Sequence, residues 1–197
     1  MRRLITSSLT LVVGVLLTLS MGPATHATPA VTSGSQAGAT DTIVGRWEGL
    51  RKCSDIVQAL EAQGLGALAP AMVGDYFPNA TYEELAAKDD VCSGAKPQHH
   101  YHFFTPDGFF GSLDQFENQV DDGPYTIVDS NTIRIGDADA LFDFVIQGAT
   151  LQLIPRISAE QREYALLHPT EFTVAGWMVA VAVEGIKWKH VPCQGWC

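Results

Sequence analysis

The stretch that decides the fold runs from Gln98 to Ile154: QHHYHFFTPDGFFGSLDQFENQVDDGPYTIVDSNTIRIGDADALFDFVIQGATLQLI. Apolar and polar residues alternate here with period two, the signature of strands with one buried face. The runs are 98–105, 109–114, 119–128, 132–135, 140–147 and 149–154. The links are short and rich in turn formers: Pro106-Asp107-Gly108, Glu117-Asn118, Asp129-Ser130-Asn131, Gly136-Asp137 and Gln147-Gly148. Parallel strands need crossovers of a dozen residues or more, so these runs form an antiparallel meander.

Upstream, Thr42 to Arg51 (TIVGRWEGLR) alternates enough for a first strand. Ser54 is placed to cap a helix through IVQALEAQ, which Gly64 ends. A second apolar run, Leu65 to Tyr76, is interrupted by Pro70, and Thr81 with Glu84 has the spacing of a capping box. Residues 54–91 therefore read as two or three short helices, bracketed by Cys53 and Cys92. Downstream, Ser158 opens a helix with Gln161 at the capping-box position. Strands are expected again at Glu171–Val183 and Ile186–Val191, joined by Glu184-Gly185. That makes about nine strands, and a meander of this size best avoids open edges by closing. The expected fold is mainly β: one antiparallel meander barrel of about eight to ten strands. It carries a short-helix insert after the first strand and one extra helix before the last strands.

The start of the chain has the character of an export signal. Arg2 and Arg3 precede an apolar core, LTLVVGVLLTL (Leu9–Leu19), too short to span a bilayer as a helix. MGPATHATPA follows, with cleavage after Ala27 expected and Ala30 the second choice. The arginine pair hints at twin-arginine export, but the rest of that motif is poor. Cysteine first occurs at position 53, which argues against a lipid anchor. Thr28 to Asp41 is rich in Thr, Ser, Gly and Ala and reads as a flexible linker, leaving residues 42–197 as one domain. Of the 197 residues, 46% are apolar and 17% charged, with a formal charge of −10. Removing residues 1–27 takes away two arginines and no acid, which makes it −12. That sign argues against nucleic acid and against anionic membranes as partners. No stable membrane anchor is expected, and the oligomeric state is left open. The expected location is extracellular. Four cysteines, an even number in an exported chain, favour two disulfides over a metal site, and CxxC-type spacing is missing.

Gly45-x-Trp47 on the first strand, followed by a meander, resembles the calycins, that is, lipocalins and fatty-acid-binding proteins. The helical insert after the first strand is closer to the fatty-acid-binding layout. The resemblance implies that Trp47 plugs the closed end while the insert lids the open end. It covers most of residues 42–191 in layout, although the insert is longer here and the helix at 158–168 is an addition. Basic residues matching the carboxylate-binding set of fatty-acid-binding proteins are not found. In such a barrel the last strand lies antiparallel to the first, which sets Cys193 far from Cys53. The local pairings Cys53–Cys92 and Cys193–Cys197 follow from that topology.

Facing can be argued across the hairpin at Thr105–Gly108. Phe104 and Phe110 are the natural inward pair, which carries His100 and His102 inward on one strand and Ser112 and Asp114 on the next. His102 then lies opposite Ser112, and His100 opposite Asp114. Tyr125 and Ile127 face inward on the following strand and bring Asp121 with them. The remaining inward set is apolar: Ile133, Ile135, Phe142, Phe144, Ile146, Leu151 and Leu153. The expected cavity is lined by Phe104, Phe110, Phe142, Phe144 and Ile146, with one polar cluster of His100, His102, Asp114, Asp121 and Tyr125. A greasy pocket with a few converging polar groups is the usual make-up of a small-molecule site. Histidine beside carboxylate suits general acid/base chemistry on an apolar substrate. Ser112 lacks a GxSxG frame, so no covalent nucleophile stands out. The same histidines also fit a solvated strand face, barrel-interior polar groups, or a His-x-His chelate with Asp114. No cofactor and no metal is expected.

The layout is also similar to that of the spiroacetal cyclases of actinobacterial polyketide pathways, barrels with polar residues in the cavity. That resemblance implies ring closure of a keto-diol by acid/base catalysis, with His102, Asp114 and Tyr125 as the candidates here. Three functions follow: a cyclase or isomerase acting on a lipophilic metabolite, which the polar cluster in the cavity favours, and as alternatives a carrier of an apolar ligand without turnover or a secreted binding or inhibitor module.

Overall fold

The computed structural model describes residues 42–136, 140–183 and 186–193. The expected signal segment 1–27 and linker 28–41 lie outside the described residues. Eight strands close one antiparallel barrel in chain order. They are β1 (Gly45–Arg51), β2 (Gln98–Phe104), β3 (Phe109–Leu113), β4 (Gln119–Asp129), β5 (Thr132–Ile135), β6 (Ala140–Gln147), β7 (Thr150–Pro155) and β8 (Trp188–Val191). The last strand pairs with both β7 and β1, so the sheet has no open edge. This is the expected mainly-β meander, and it is compatible with a calycin-like fold.

The insert after β1 is helical: α1 (Cys53–Ala62), α2 (Ala69–Met72) and α3 (Tyr82–Ala86), with 3-10 turns at Gly66–Leu68 and Gly74–Tyr76. Pro70 sits in the first turn of α2, where its missing N–H costs nothing. Thr81 and Glu84 form the expected capping box, as do Ser158 and Gln161 at the start of α4 (Ala159–Leu167). The Cys53–Cys92 disulfide closes the insert, with the two Cα atoms 5.5 Å apart. Cys193 is also disulfide-bonded. Its expected partner, Cys197, lies outside the described residues.

The strand expected at Glu171–Val183 is instead a helix, α5 (Val174–Ala182). The Thr173 hydroxyl caps it by accepting the Gly176 N–H at 3.3 Å. Almost every residue of α5 is buried, from Ala175 through Val183. A helix buried all round shows no polar face and hence no 3.6 period, and its valines mimic a buried strand. The correction reduces the strand number to eight and places two helices, not one, before a single last strand.

Most inward faces follow the parity expected from the sequence, but Ile127, expected inward beside Tyr125, is 46% exposed. Phe104 pairs with Phe110, and His102 with Ser112. Trp47, Phe104, Phe110, Ile133, Phe142, Leu151, Leu153 and Trp188 are fully or almost fully buried within one core. Gly49 on β1 is required by close packing: a Cβ there would lie 2.6 Å from the Trp188 ring. Helix α5 lies between this core and the insert. Its Trp177 ring meets Phe110 and Phe142 at 6.5 and 5.9 Å, and its Gly176 lies against Met72 and Leu68.

Candidate functional site

His102 occupies the barrel interior with both ring nitrogens bonded. Its Nε2 lies 3.0 Å from the Val181 carbonyl oxygen, and its Nδ1 lies 2.9 Å from Ser112 Oγ. A carbonyl only accepts, so Nε2–H is the donor and Nδ1 accepts the Ser112 hydroxyl proton. Burial pushes its pKa down to about 3, against the opposing pull of the Val181 carbonyl. His102 is therefore a neutral bridge that ties β2 to β3 and to α5.

His100, two residues earlier on the same face, is different. Arg51 Nη1 donates to its Nδ1 at 3.2 Å, which leaves the imidazole proton on Nε2. Burial first, then the positive Arg51 and His102, hold His100 far below the usual histidine range. Burial also lowers Arg51, while Tyr76 and Asp75 oppose that shift. Across the site, β3 pairs Ser112 with Asp121 of β4. Burial raises the Asp121 carboxyl above the usual range, although the Trp177 indole N–H donates to Asp121 Oδ2 at 2.5 Å and holds it down.

These groups surround a cavity of about 120 Å³ at the barrel mouth. Arg51, His100, Ser112 and Asp121 supply its polar wall, and Met72, Trp177, Ala180 and Val181 much of its apolar wall. Arg51, Asp75, His100, Val120 and Phe172 also line an outer cleft of about 560 Å³, so the two spaces adjoin. The outer cleft is bounded by Pro78 of the insert and by Asp114, Gln115 and Phe116 of the β3–β4 turn. Phe116 and Phe172 stand at its rim 75% and 71% exposed, unusual for phenylalanines unless something covers them. The outer volume is in the range of drug-sized ligand sites, while the inner one admits only a small group.

Of the five polar candidates, the inner cavity brings together His100 and Asp121. His102 stands behind Ser112. Asp114 lies just past the end of β3, and it lines the outer cleft together with His100. Its carboxylate accepts the N–H groups of Phe116 and Asn118 and the Asn118 side-chain amide. Slight burial acts to raise this carboxyl, but the Asn118 and Phe116 donors outweigh it and leave it below the usual value. Tyr125 packs edge-on against Phe104 and donates its hydroxyl to the Thr105 carbonyl at 2.6 Å, at the hairpin turn. Among the apolar candidates, Phe104, Phe110 and Phe142 are fully buried in the core, with Phe144 and Ile146 packed at its edge. The outer cleft is lined instead by Gly74, Asp75 and Pro78 of the insert, the β3–β4 turn and the ends of β1, β2 and β4, while α5 walls the inner cavity. Among the described residues, no group of three His, Cys, Asp or Glu is placed to share a metal ion.

Sequence reasoning missed Arg51, Asp75 and Trp177. Arg51 was legible: it follows Trp47 and Gly49 at period two, so it shares their inward face. Trp177 was hidden by the strand reading of α5.

A comparison with protein families finds no matching model, and a comparison with curated proteins finds no match. The fold and the cleft define the class: a closed eight-stranded antiparallel barrel with a lidded cleft at its mouth.

Proposed function

We propose that this chain is an exported, lipocalin-like carrier that binds an apolar small molecule in the cleft at the barrel mouth. One observation carries the reading. An open cleft of mixed polar and apolar lining, rimmed by exposed Phe116 and Phe172, adjoins a small cavity with a few converging polar groups. The barrel interior beneath it is filled by its own aromatic side chains, so the ligand sits at the mouth and not on the barrel axis. The leader-like start of the chain and the Cys53–Cys92 disulfide support export, because disulfides persist in oxidising compartments. No helix among the described residues is long and apolar enough to cross a membrane.

The test uses an uncharged fluorescent probe, N-phenyl-1-naphthylamine. It is expected to bind wild-type protein saturably. Ala180→Phe, which fills the inner cavity, is expected to weaken binding without unfolding the barrel. A wild-type protein that leaves the probe in water overturns the reading.

A second reading is acid/base catalysis on the same ligand, of the kind that closes a spiroacetal from a keto-diol. It is supported by Asp121, a carboxyl raised by burial beside an apolar cavity. In this reading Asp121 moves the proton, and His102, already bonded through both nitrogens, only supports the strands. Asp121→Asn then abolishes turnover of a keto-diol substrate while probe binding persists. Loss of neither sinks the catalytic reading and leaves the carrier.

A further inference from the structure

We propose that the inner cavity seats a neutral hydroxyl head of the ligand, which donates to Asp121 and accepts from His100, while the apolar chain runs out into the outer cleft. This inference rests on the cleft reading above and names the ligand class, a long-chain alcohol.

His100 and Asp121 line the same cavity of about 120 Å³, room for one small group. With Arg51 bonded to its Nδ1, His100 carries its proton on Nε2, and that N–H has no acceptor among the described residues. Burial, and then Arg51, keep the ring uncharged. Asp121 is the complementary partner. Its Oδ2 takes the Trp177 indole N–H, and the Asp122 N–H also reaches the carboxylate. A carboxylate accepts about four hydrogen bonds, so it has room for a further donor. The other polar groups of the wall are already committed. Ser112 gives its hydroxyl proton to His102. Arg51 is answered by Asp75, which lines both spaces and lies near enough to stabilise the guanidinium. One unused donor and one carboxylate with spare capacity therefore share one small space. A carboxylate or phosphate head brings acceptors only and meets Asp121 and Asp75 as like charges. An ammonium head brings donors only, leaves the His100 N–H unanswered and sits beside Arg51. A hydroxyl donates and accepts at a single atom, and it costs far less to desolvate than either ion.

The experiment displaces bound N-phenyl-1-naphthylamine from the full chain with four ligands that share one decyl chain: decanol, decyl methyl ether, decanoate and decylammonium. Decanol is expected to bind about tenfold more tightly than each of the others, the yield of one charge-assisted hydrogen bond. Asp121→Asn keeps an oxygen for the Trp177 N–H and removes the charge, so the preference for decanol over the ether is expected to shrink severalfold. His100→Phe is expected to weaken decanol and the ether alike, since both accept from Nε2–H, and to leave their ratio unchanged. Equal binding of decanol and the ether, tighter binding of either ion, or failure of all four to displace the probe overturns the hydroxyl head and leaves the cleft standing. So does a preference that survives Asp121→Asn in full, or a wild-type affinity for decanol in His100→Phe. If neither variant folds, the four ligands on the wild type decide. A probe that does not bind at all overturns the cleft reading as well.

Discussion

The indole N–H of Trp177 donates to the carboxylate of Asp121 at 2.5 Å, which ties helix α5 to strand β4 across the inner cavity. This bond joins both walls of the cavity and favours the charged form of an acid that burial pushes the other way. Trp177→Phe keeps the ring packing against Phe110 and Phe142 and removes only the donor. The Asp121 pKa is expected to rise further, because a bond to the ionised form has been lost. NMR titration of the Asp121 carboxyl checks this, and an unchanged or lower value contradicts it.

Acid sensitivity is expected from the two inward histidines. His102 has an ordinary unfolded value of 6.5 and a folded value of about 3, and His100 is also lowered. Between those limits the unfolded chain binds more protons than the folded one. The stability is therefore complete above pH 6.5 and falls as the pH drops through the window toward 3. The slope is up to ~1.4 kcal/mol per pH unit for each histidine that stays neutral. Urea unfolding from pH 7 to pH 4 measures it. His102→Gln is expected to flatten the slope by about one proton while lowering stability at pH 7, since Ser112 and Val181 lose a fitted partner.

The Cys53–Cys92 bond closes the insert that forms one wall of the cleft. With the cysteines 39 positions apart in sequence, its loss is expected to cost about 4 kcal/mol by loop entropy. Cys53→Ser with Cys92→Ser, followed by thermal melting, tests the size. The probe affinity should fall with the melting temperature, because Met72, Asp75 and Pro78 are held by this loop. A variant that melts lower but binds equally well would separate the insert from the cleft.

Gly49→Ala is expected to destabilise by about 1–3 kcal/mol through overpacking, because the new methyl meets the buried Trp188 ring. Denaturant unfolding reads this directly. A neutral result would mean that Trp188 moves aside at no cost.

The barrel was legible because its evidence is local. Phe104 opposite Phe110, split by Thr105-Pro106-Asp107-Gly108, sets the register of β2 and β3, and each later turn extends it. The facing of His100, His102, Ser112 and Asp121 followed from that register. Two features broke the pattern. Residues 174–183 lack any polar position, so helix and strand could not be told apart by period, and with α5 went Trp177 and the apolar wall of the inner cavity. Strand β3 ends at Leu113, and Asp114 accepts the Phe116 and Asn118 N–H groups of the following turn, which alternation does not show. Arg51 was readable by parity from Trp47. What parity does not show is that its guanidinium ends at the barrel mouth beside His100 and Asp75.

The most direct test of the central claim is an NMR titration of the protein with N-phenyl-1-naphthylamine, following the Trp177 indole N–H and the amides of Ala180 and Val181. The expected result is a saturable shift of all three, with Tyr125, at the distant hairpin turn, unmoved. Saturable shifts elsewhere on the barrel with α5 silent, or no saturable shift at all, would contradict a ligand cleft at the barrel mouth.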